Sequence, residues 1–391
     1  MAIEGSKSAK HTGRIRLGMV GGGQGAFIGA VHRLAARMDD HYEFVAGALS
    51  SEPARAIASG EELGLSPDRI YGDFHEMAEA ESKRSNGIEA VSIVTPNHMH
   101  YPAARAFIEA GIHVICDKPL SLNLKEAQAL EKLLAKNPQV IFALTHNYSG
   151  YPMIRQAKAM VAAGELGDIR LVQGEYPQDW LTKDIEKSGQ KQAAWRTDPK
   201  RSGAGGCVGD IGTHTYQLGC YVSGLALDEL SADLSSFVKG RKLDDNAHVM
   251  LRYRGGARGM LWASQVAPGH ENGLKIRVYG TKGGLEWVQA DPNYLWFTPY
   301  GEPKRLITRG GAGANAASQR VTRVPPGHPE GYLEGFANIY AEVARSIKAR
   351  RVGKKLDKDV DFPGIADGVA GMAFIEACVK SSAKNGKWMK V

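Results

Sequence analysis

Over the first third of the chain, continuous apolar runs alternate with stretches of helical periodicity. Residues 15–20, 44–49, 88–95 and 113–115 are short runs with little polar interruption, as strands buried on both faces require. Residues 30–36, between the first two runs, carry apolar positions at helical spacing. This alternation predicts a parallel sheet covered by helices. Around residue 147 the pattern changes. One helix, expected at 151–163, is followed by successive strands at 169–176, 230–238, 247–253, 257–266 and 274–279, with glycine turns such as Arg254-Gly255-Gly256. Strands in succession with tight turns read as a mostly antiparallel sheet in a separate α+β unit. The fold class is therefore α/β, with a Rossmann unit at 14–146 and an α+β unit at 147–391. Helices expected at 332–350 and 362–382 close the structure. The loop from Gly310 to Ser318 reads as mobile, being made of small residues.

The first strand runs into Gly21-Gly22-Gly23-Gln24-Gly25 and then into a helix. Strand, glycine turn and helix N-terminus together form an anion site, because free backbone N–H groups and the helix dipole face a pyrophosphate. Gly21, Gly23, Gln24, Gly25, Ala26 and Phe27 are the candidate contacts. The third glycine of the usual fingerprint is either replaced by Ala26 or supplied by Gly29 after a longer loop. The second strand ends in Ser50-Ser51-Glu52, with Arg55 close behind and no acid at its tip. Two hydroxyls and an arginine suit a 2′-phosphate, whereas Glu52 suits a bare ribose, so the expectation leans to NADP over NAD. Alternatively, Ser51 merely caps the next helix and Arg55 is solvated.

Ligands of such a sheet lie at the carboxyl ends of its strands. Thr95-Pro96-Asn97, Asp117-Lys118-Pro119 and His146-Asn147 occupy those ends. A lysine there reaches both a cofactor and a substrate hydroxyl, the layout of a dehydrogenase. His98-x-His100 is a poor metal pair, because Pro96 breaks the strand and no spaced carboxylate or cysteine completes a site; His100 instead starts a helix. Asp210 and His214 stand four residues apart, so on a helix the carboxylate either orients the imidazole or lines one pocket with it. A neutral histidine is a suitable base for a hydroxyl proton, and Lys118 would stabilise charge on the same oxygen.

Composition narrows the class. At 391 residues with 43% hydrophobic content, two substantial cores are expected. Stretch 1–14 is polar and reads as a loose tail without a signal peptide, and no apolar run reaches membrane-spanning length, so a cytoplasmic enzyme is expected. Four scattered cysteines fit a reducing compartment. The net charge of +7 is spread along the chain, which argues against a nucleic-acid partner; an anionic cofactor is partner enough.

These motifs resemble the Gfo/Idh/MocA family of glucose-fructose oxidoreductase, inositol dehydrogenase and rhizopine-catabolism proteins, over roughly residues 14 to 390. The marks are Thr95-Pro96-Asn97 with His100, Asp117-Lys118-Pro119 where the family usually has Glu-Lys-Pro, Trp195-Arg196, Gly205-Gly206, and Asp210 with His214. The resemblance implies that Lys118, Asp210 and His214 are catalytic and that Trp195 and Arg196 contact cofactor or substrate. It also implies a dimer or tetramer built on one face of the second sheet. Gln217 stands where many members carry a second aspartate. Candidate cofactor contacts further include Thr95, Pro96, Asn97, His100, Asp117 and Asn147. Tyr176, Gln178, Trp180 and His328 are candidate substrate contacts, with the nearby Asp179. The reading is an NAD(P)-dependent oxidoreductase acting on a secondary hydroxyl of a sugar or cyclitol. Two alternatives are a redox-neutral glycoside-oxidising enzyme that retains its dinucleotide and a non-enzymatic dinucleotide sensor.

Overall fold

Every residue of the run Ala90–Val94 is buried, and this strand lies at the centre of the first sheet. A computed structural model describes residues 13–391; most of the stretch read as a tail, 1–12, lies outside them. Five strands, β1 (Ile15–Gly21), β2 (Tyr42–Ala48), β3 (Ala90–Val94), β4 (His113–Cys116) and β5 (Phe142–Leu144), pair in parallel in the order β2-β1-β3-β4-β5. The chain reverses its winding between β1 and β3, which opens a crevice at their carboxyl ends. One face of this sheet is covered from far along the chain. Phe336, Ile339, Tyr340 and Val343 of the helix Tyr332–Arg351 share a core with Ile15, Leu17 and Val31. Tyr340 ties them further, its hydroxyl meeting His32 Nδ1 at 2.8 Å and Ser92 Oγ at 2.5 Å.

The second sheet has nine strands. They are β6 (Ile169–Pro177), β7 (Leu227–Ser235), β8 (Asn246–Tyr253), β9 (Arg258–Ser264), β10 (Lys275–Gly280), β11 (Gly283–Val288), β12 (Tyr294–Pro299), β13 (Arg305–Thr308) and β14 (Met389–Lys390). Their order is β13-β12-β11-β10-β6-β9-β8-β7-β14, antiparallel except where β6 meets β9. Five of these were expected; β7 begins three residues earlier than predicted, and β11 to β14 were not foreseen. β11 alternates buried and half-buried positions but opens on two glycines, and β13 and β14 span only 4 and 2 residues, too short to register as a pattern. Gly255 and Gly256, at φ +86° and +99°, form the hairpin between β8 and β9.

Helices Pro152–Ala162 and Thr213–Ser223 pack on one face of this sheet. Across the other face runs a row of cross-strand partners, Met250, Met260, Gln173, Arg277, Glu286, Trp296 and Leu306. Its four apolar members stand 37% to 55% exposed. The loop 310–318 is anchored, contrary to expectation. Gln156 receives Asn315 N at 2.7 Å and Ser318 Oγ at 3.0 Å, and donates to Gly313 O at 3.1 Å, so small side chains here fit a buried amide hub. Among the described residues no helix is long and apolar enough to cross a membrane.

Buried imidazoles make the fold acid-sensitive. Burial pushes His32 and His113 down to about 4 and His146 to about 3, with Lys118 adding to the last. An unfolded chain protonates these rings near the ordinary value of 6.5, so between there and about 4 the unfolded state binds more protons and stability falls with pH. Asp244, raised to about 6 by burial, opposes this with one proton. His214, held further down still, adds to the histidine side, so the balance near pH 5 favours proton uptake by the unfolded chain. Thermal scans at one heating rate should therefore show the midpoint dropping from pH 7 to pH 5; a flat or rising midpoint would contradict the assignment.

Candidate active site

The glycine loop and its helix leave a backbone cradle open. The helix Phe27–Met38 starts after Ala26 with no side-chain cap, so its first N–H groups are free for an anion. A Cβ on Gly29 would sit 2.4 Å from Gly22 Cα, whereas a Cβ on Gly25, at φ +76°, would meet nothing within 4 Å. Gly29, not Ala26, therefore brings helix and loop together, while Gly25 serves the positive φ of the turn. These features fit a dinucleotide pyrophosphate. Gln24 is tied down by Ser59 Oγ at 3.0 Å and by Glu62 at 2.8 Å.

A cavity of about 960 Å³ extends from this cradle to the second sheet. It is lined by Gly21, Gly23, Gln24, Ala26 and Phe27, then by Ser50, Ser51 and Arg55 beyond β2, and by Thr95, Pro96 and Asn97 beyond β3. Gly25 and His100, also expected there, do not line it. Gly25 sits outside on the turn. His100 is buried beneath, one ring nitrogen 2.6 Å from Pro119 O and the other 2.9 Å from Thr95 O, so it ties two strand-end loops together. Ser51 caps nothing: Glu52 occupies the cap position and pairs with Arg55 at 3.0 Å. Asn97 spends its amide on Ser202 O at 2.8 Å.

Lys118 and Asp210 meet in the middle of the cavity. Lys118 Nζ donates to Asp210 O at 2.6 Å and to Oδ1 at 3.1 Å. Asp117 accepts from Lys118 N at 2.9 Å and Thr145 Oγ1 at 3.0 Å, which fixes the lysine's backbone. Asp210 lies in a π-helical turn, Val208–Gly212, that leads into the helix of His214. Its Oδ2 accepts from Gln265 Nε2 at 2.8 Å and faces Arg196 Nε at 3.3 Å. Burial alone would raise its pKa, but the charges of Lys118 and Arg196 prevail and hold the carboxyl well below the usual range.

His214 lies within the aromatic wall of Tyr148 and His146, with ring centroids at 5.0 and 5.5 Å. Burial, then Lys118 and His146, push its pKa far down, so the ring is neutral. Asp210 does not orient it. The wider π turn rotates the carboxylate toward Lys118, so of the two readings of their spacing the shared pocket is the one observed. His214 Nδ1 and His146 Nδ1 are buried without partners, as is the Asn147 amide nitrogen. Asn147 lines the cavity too.

On the far wall Tyr176, Gln178 and Trp180 line the cavity with Trp195 and Arg196. Asn272 organises them, its Oδ1 accepting from Tyr176 and Gln178, each at 2.8 Å; Trp180 donates to Gln178 at 3.1 Å. Arg196 stacks 4.2 Å over the Trp195 ring. His328 is corrected: it is exposed and lines no part of the cavity, because Arg309 and Glu330 hold its loop at the outer surface. Sequence reading also missed Gln265, Asn272, Tyr148, Tyr332 and Phe336. Tyr148 follows the strand-end pair His146-Asn147 and was open to recognition; the others lie far from any motif.

Residues 15–158 match the GFO/IDH/MocA model described as an oxidoreductase family with NAD-binding Rossmann fold, and 154–286 match a GFO/IDH/MocA C-terminal domain. An oxidoreductase from Sinorhizobium meliloti is 61% identical, with a TM-score of 0.88 over 97% of this chain and 100% of that one. An inositol dehydrogenase homolog from Azotobacter vinelandii, solved with NADH and myo-inositol, is 37% identical, with a TM-score of 0.90 over 97% and 98% of the two chains. The levoglucosan dehydrogenase of Pseudarthrobacter phenanthrenivorans is 27% identical over 406 aligned positions, 96% of this chain and 98% of its own. Matched by both models and by relatives along nearly its whole length, the chain belongs to the GFO/IDH/MocA family of NAD-binding oxidoreductases.

Proposed function

We propose that this protein transfers hydride between a nicotinamide dinucleotide and a secondary hydroxyl of a cyclitol or sugar. The observation that carries the reading is the convergence of Lys118, Asp210 and His214 on the cavity that also holds the glycine cradle. Myo-inositol and levoglucosan in the names of relatives support the substrate class. A bound nicotinamide supplies the hydride acceptor. Lys118, paired with Asp210, donates a hydrogen bond to the reacting oxygen and stabilises the negative charge that builds there. His214, neutral and lining the same cavity, accepts the hydroxyl proton; otherwise loss of hydride would leave a protonated carbonyl. Tyr176 and Gln178 hydrogen-bond further hydroxyls, and the Trp180 and Trp195 rings face the C–H surface of the ring.

A panel of cyclitols and sugars, followed at the reduced-nicotinamide absorbance band, should yield one turnover-competent group. With that substrate Lys118→Ala and His214→Ala should each lower kcat by about 10²- to 10⁴-fold while dinucleotide affinity stays within a few-fold, with partial recovery of the histidine variant at high pH. A near-normal rate in either variant would refute the assignment.

For the cofactor we infer NAD over NADP, although Ser50, Ser51 and Arg55 alone suit a 2′-phosphate. Arg55 is paired with Glu52, whose carboxylate would repel that phosphate, and a relative was solved with NADH. Titration calorimetry should give NAD the lower Kd, and tighter binding of NADP would overturn the inference.

The exposed row on the second sheet supports self-association through that face. Its outer apolar members are otherwise left in water, and the central Arg277–Glu286 pair offers complementary charges to a second copy. Sedimentation equilibrium should find a dimer or tetramer that Trp296→Lys dissociates; a monomeric wild-type chain would exclude it.

A further inference from the structure

Asp210 is set by a turn that does not hold itself. In Val208–Gly212 the helix widens, and Thr213 N reaches back to Val208 O. This turn leaves Asp210 O free to accept from Lys118 Nζ. Such turns are rare, occurring mostly as single-turn bulges inside α-helices and often at functional sites. Two residues outside the turn supply the hold, and neither carries a motif.

Asp244, just before β8, grips the entry to the turn. Its Oδ1 accepts from Gly206 N and its Oδ2 from Val208 N, both at 2.7 Å, while its backbone carbonyl accepts from Cys207 N at 2.8 Å. The approach is close enough that a Cβ on Gly206 would lie 2.2 Å from Asp244 O. Gln265, just after β9, grips the side chain. It is 2% exposed, and its amide donates to Asp210 Oδ2 at 2.8 Å. The two grips are one unit, because Asn246 of β8 pairs with Ser264 of β9 and Gln265 N donates to Asp245 O at 2.8 Å.

We propose that Asp244 and Gln265, at the paired ends of β8 and β9, are positioning residues that fix the π turn and aim the Asp210 carboxylate at Lys118. This rests on the proposed function for its kinetic consequence alone. Gln265 does so as a neutral donor: it anchors Oδ2 without adding a charge, so Oδ1 is left to Lys118. A carboxylate at 265 would compete for the same proton and cation.

The test is a trio of variants. Gln265→Leu keeps the volume and removes the donor; it should lower kcat by about 10- to 100-fold, the scale of a displacement near 1 Å, with KM and dinucleotide Kd within a few-fold. In Gln265→Glu two carboxyls share a site, so one proton is retained at low pH and the protonated group donates as glutamine does. Its kcat relative to wild type should therefore recover as pH falls and decline as pH rises. A uniform factor at all pH values, or a wild-type rate in Gln265→Leu, would overturn the proposal. Asp244→Asn, with one acceptor oxygen in place of two, should give the same kcat loss; should it not fold, the Gln265 pair still decides. If the wild type oxidises no member of the panel, the functional reading fails by itself. A crystal structure of Gln265→Leu then judges the positioning role: loss of the 3.1 Å contact from Lys118 Nζ to Asp210 Oδ1 supports it, and an unmoved carboxylate refutes it.

Discussion

The Lys118–Asp210 ion pair joins the two halves of the molecule, and the site is organised around it. Lys118 comes from the end of β4 in the parallel sheet and Asp210 from the turn packed on the second, with side chains 13% and 15% exposed. Taking two charges out of water costs several kcal/mol per ion, and attraction alone does not reliably offset it. Here the geometry is overdetermined. Lys118 has the Asp210 carbonyl as a second acceptor, and Asp210 has Arg196 and Gln265 on its other oxygen. A pair so satisfied holds one relative placement of the sheets, and the cavity between them takes its shape from that placement. Removing one partner would leave a buried charge without compensation, which ties the chemistry to the architecture.

The same scarcity of water determines the protonation of the imidazoles. With Lys118 already charged, a second cation nearby would be costly, and His146 and His214 are both held neutral by burial and by that lysine. The imidazole lining the cavity thereby keeps a lone pair, and the cations of the site are Lys118 and Arg196, both held against Asp210. On the opposite wall one amide organises the polar surface. Asn272 meets Tyr176, Gln178 and Gln289, so groups that could rotate freely are fixed before a polyol arrives.

What could be read from the sequence followed from how local each signal is. Strand, glycine loop and helix are contiguous, so β1 and its cradle were visible, and so was the position of Lys118 at the end of a buried run. Even there the third glycine was ambiguous, because the choice between Ala26 and Gly29 depends on how closely the helix approaches Gly22 in space. The non-local partners were not legible. Gln265 and Asn272 act on partners distant in sequence through single amides, and nothing in their neighbourhood distinguishes them from surface residues. The helix Tyr332–Arg351 was foreseen, yet its packing on the first sheet was not, since periodicity tells which face is apolar but not what it meets. His328 failed for the opposite reason: a histidine between prolines and glycine suggests a site, while Arg309 ties the loop to the exterior.

The role of β9 shows how a generic pattern becomes a specific one. Met260 is 48% exposed, whereas Leu261, Ala263 and Gln265 are buried at 2%, 0% and 2%. Inward positions are therefore the odd ones, and the strand's period of two carries that parity past Ser264 to Gln265. Parity is set by the Gly255-Gly256 hairpin, which pairs Arg252 with Arg258 and hence Asn246 with Ser264. A slip of one residue would turn Gln265 outward and Met260 inward, and bring Ser264 or Val266 to the Asp210 carboxylate in place of the amide donor. Two glycines at positive φ, far from the cavity, thus determine which side chain reaches the carboxylate that holds Lys118.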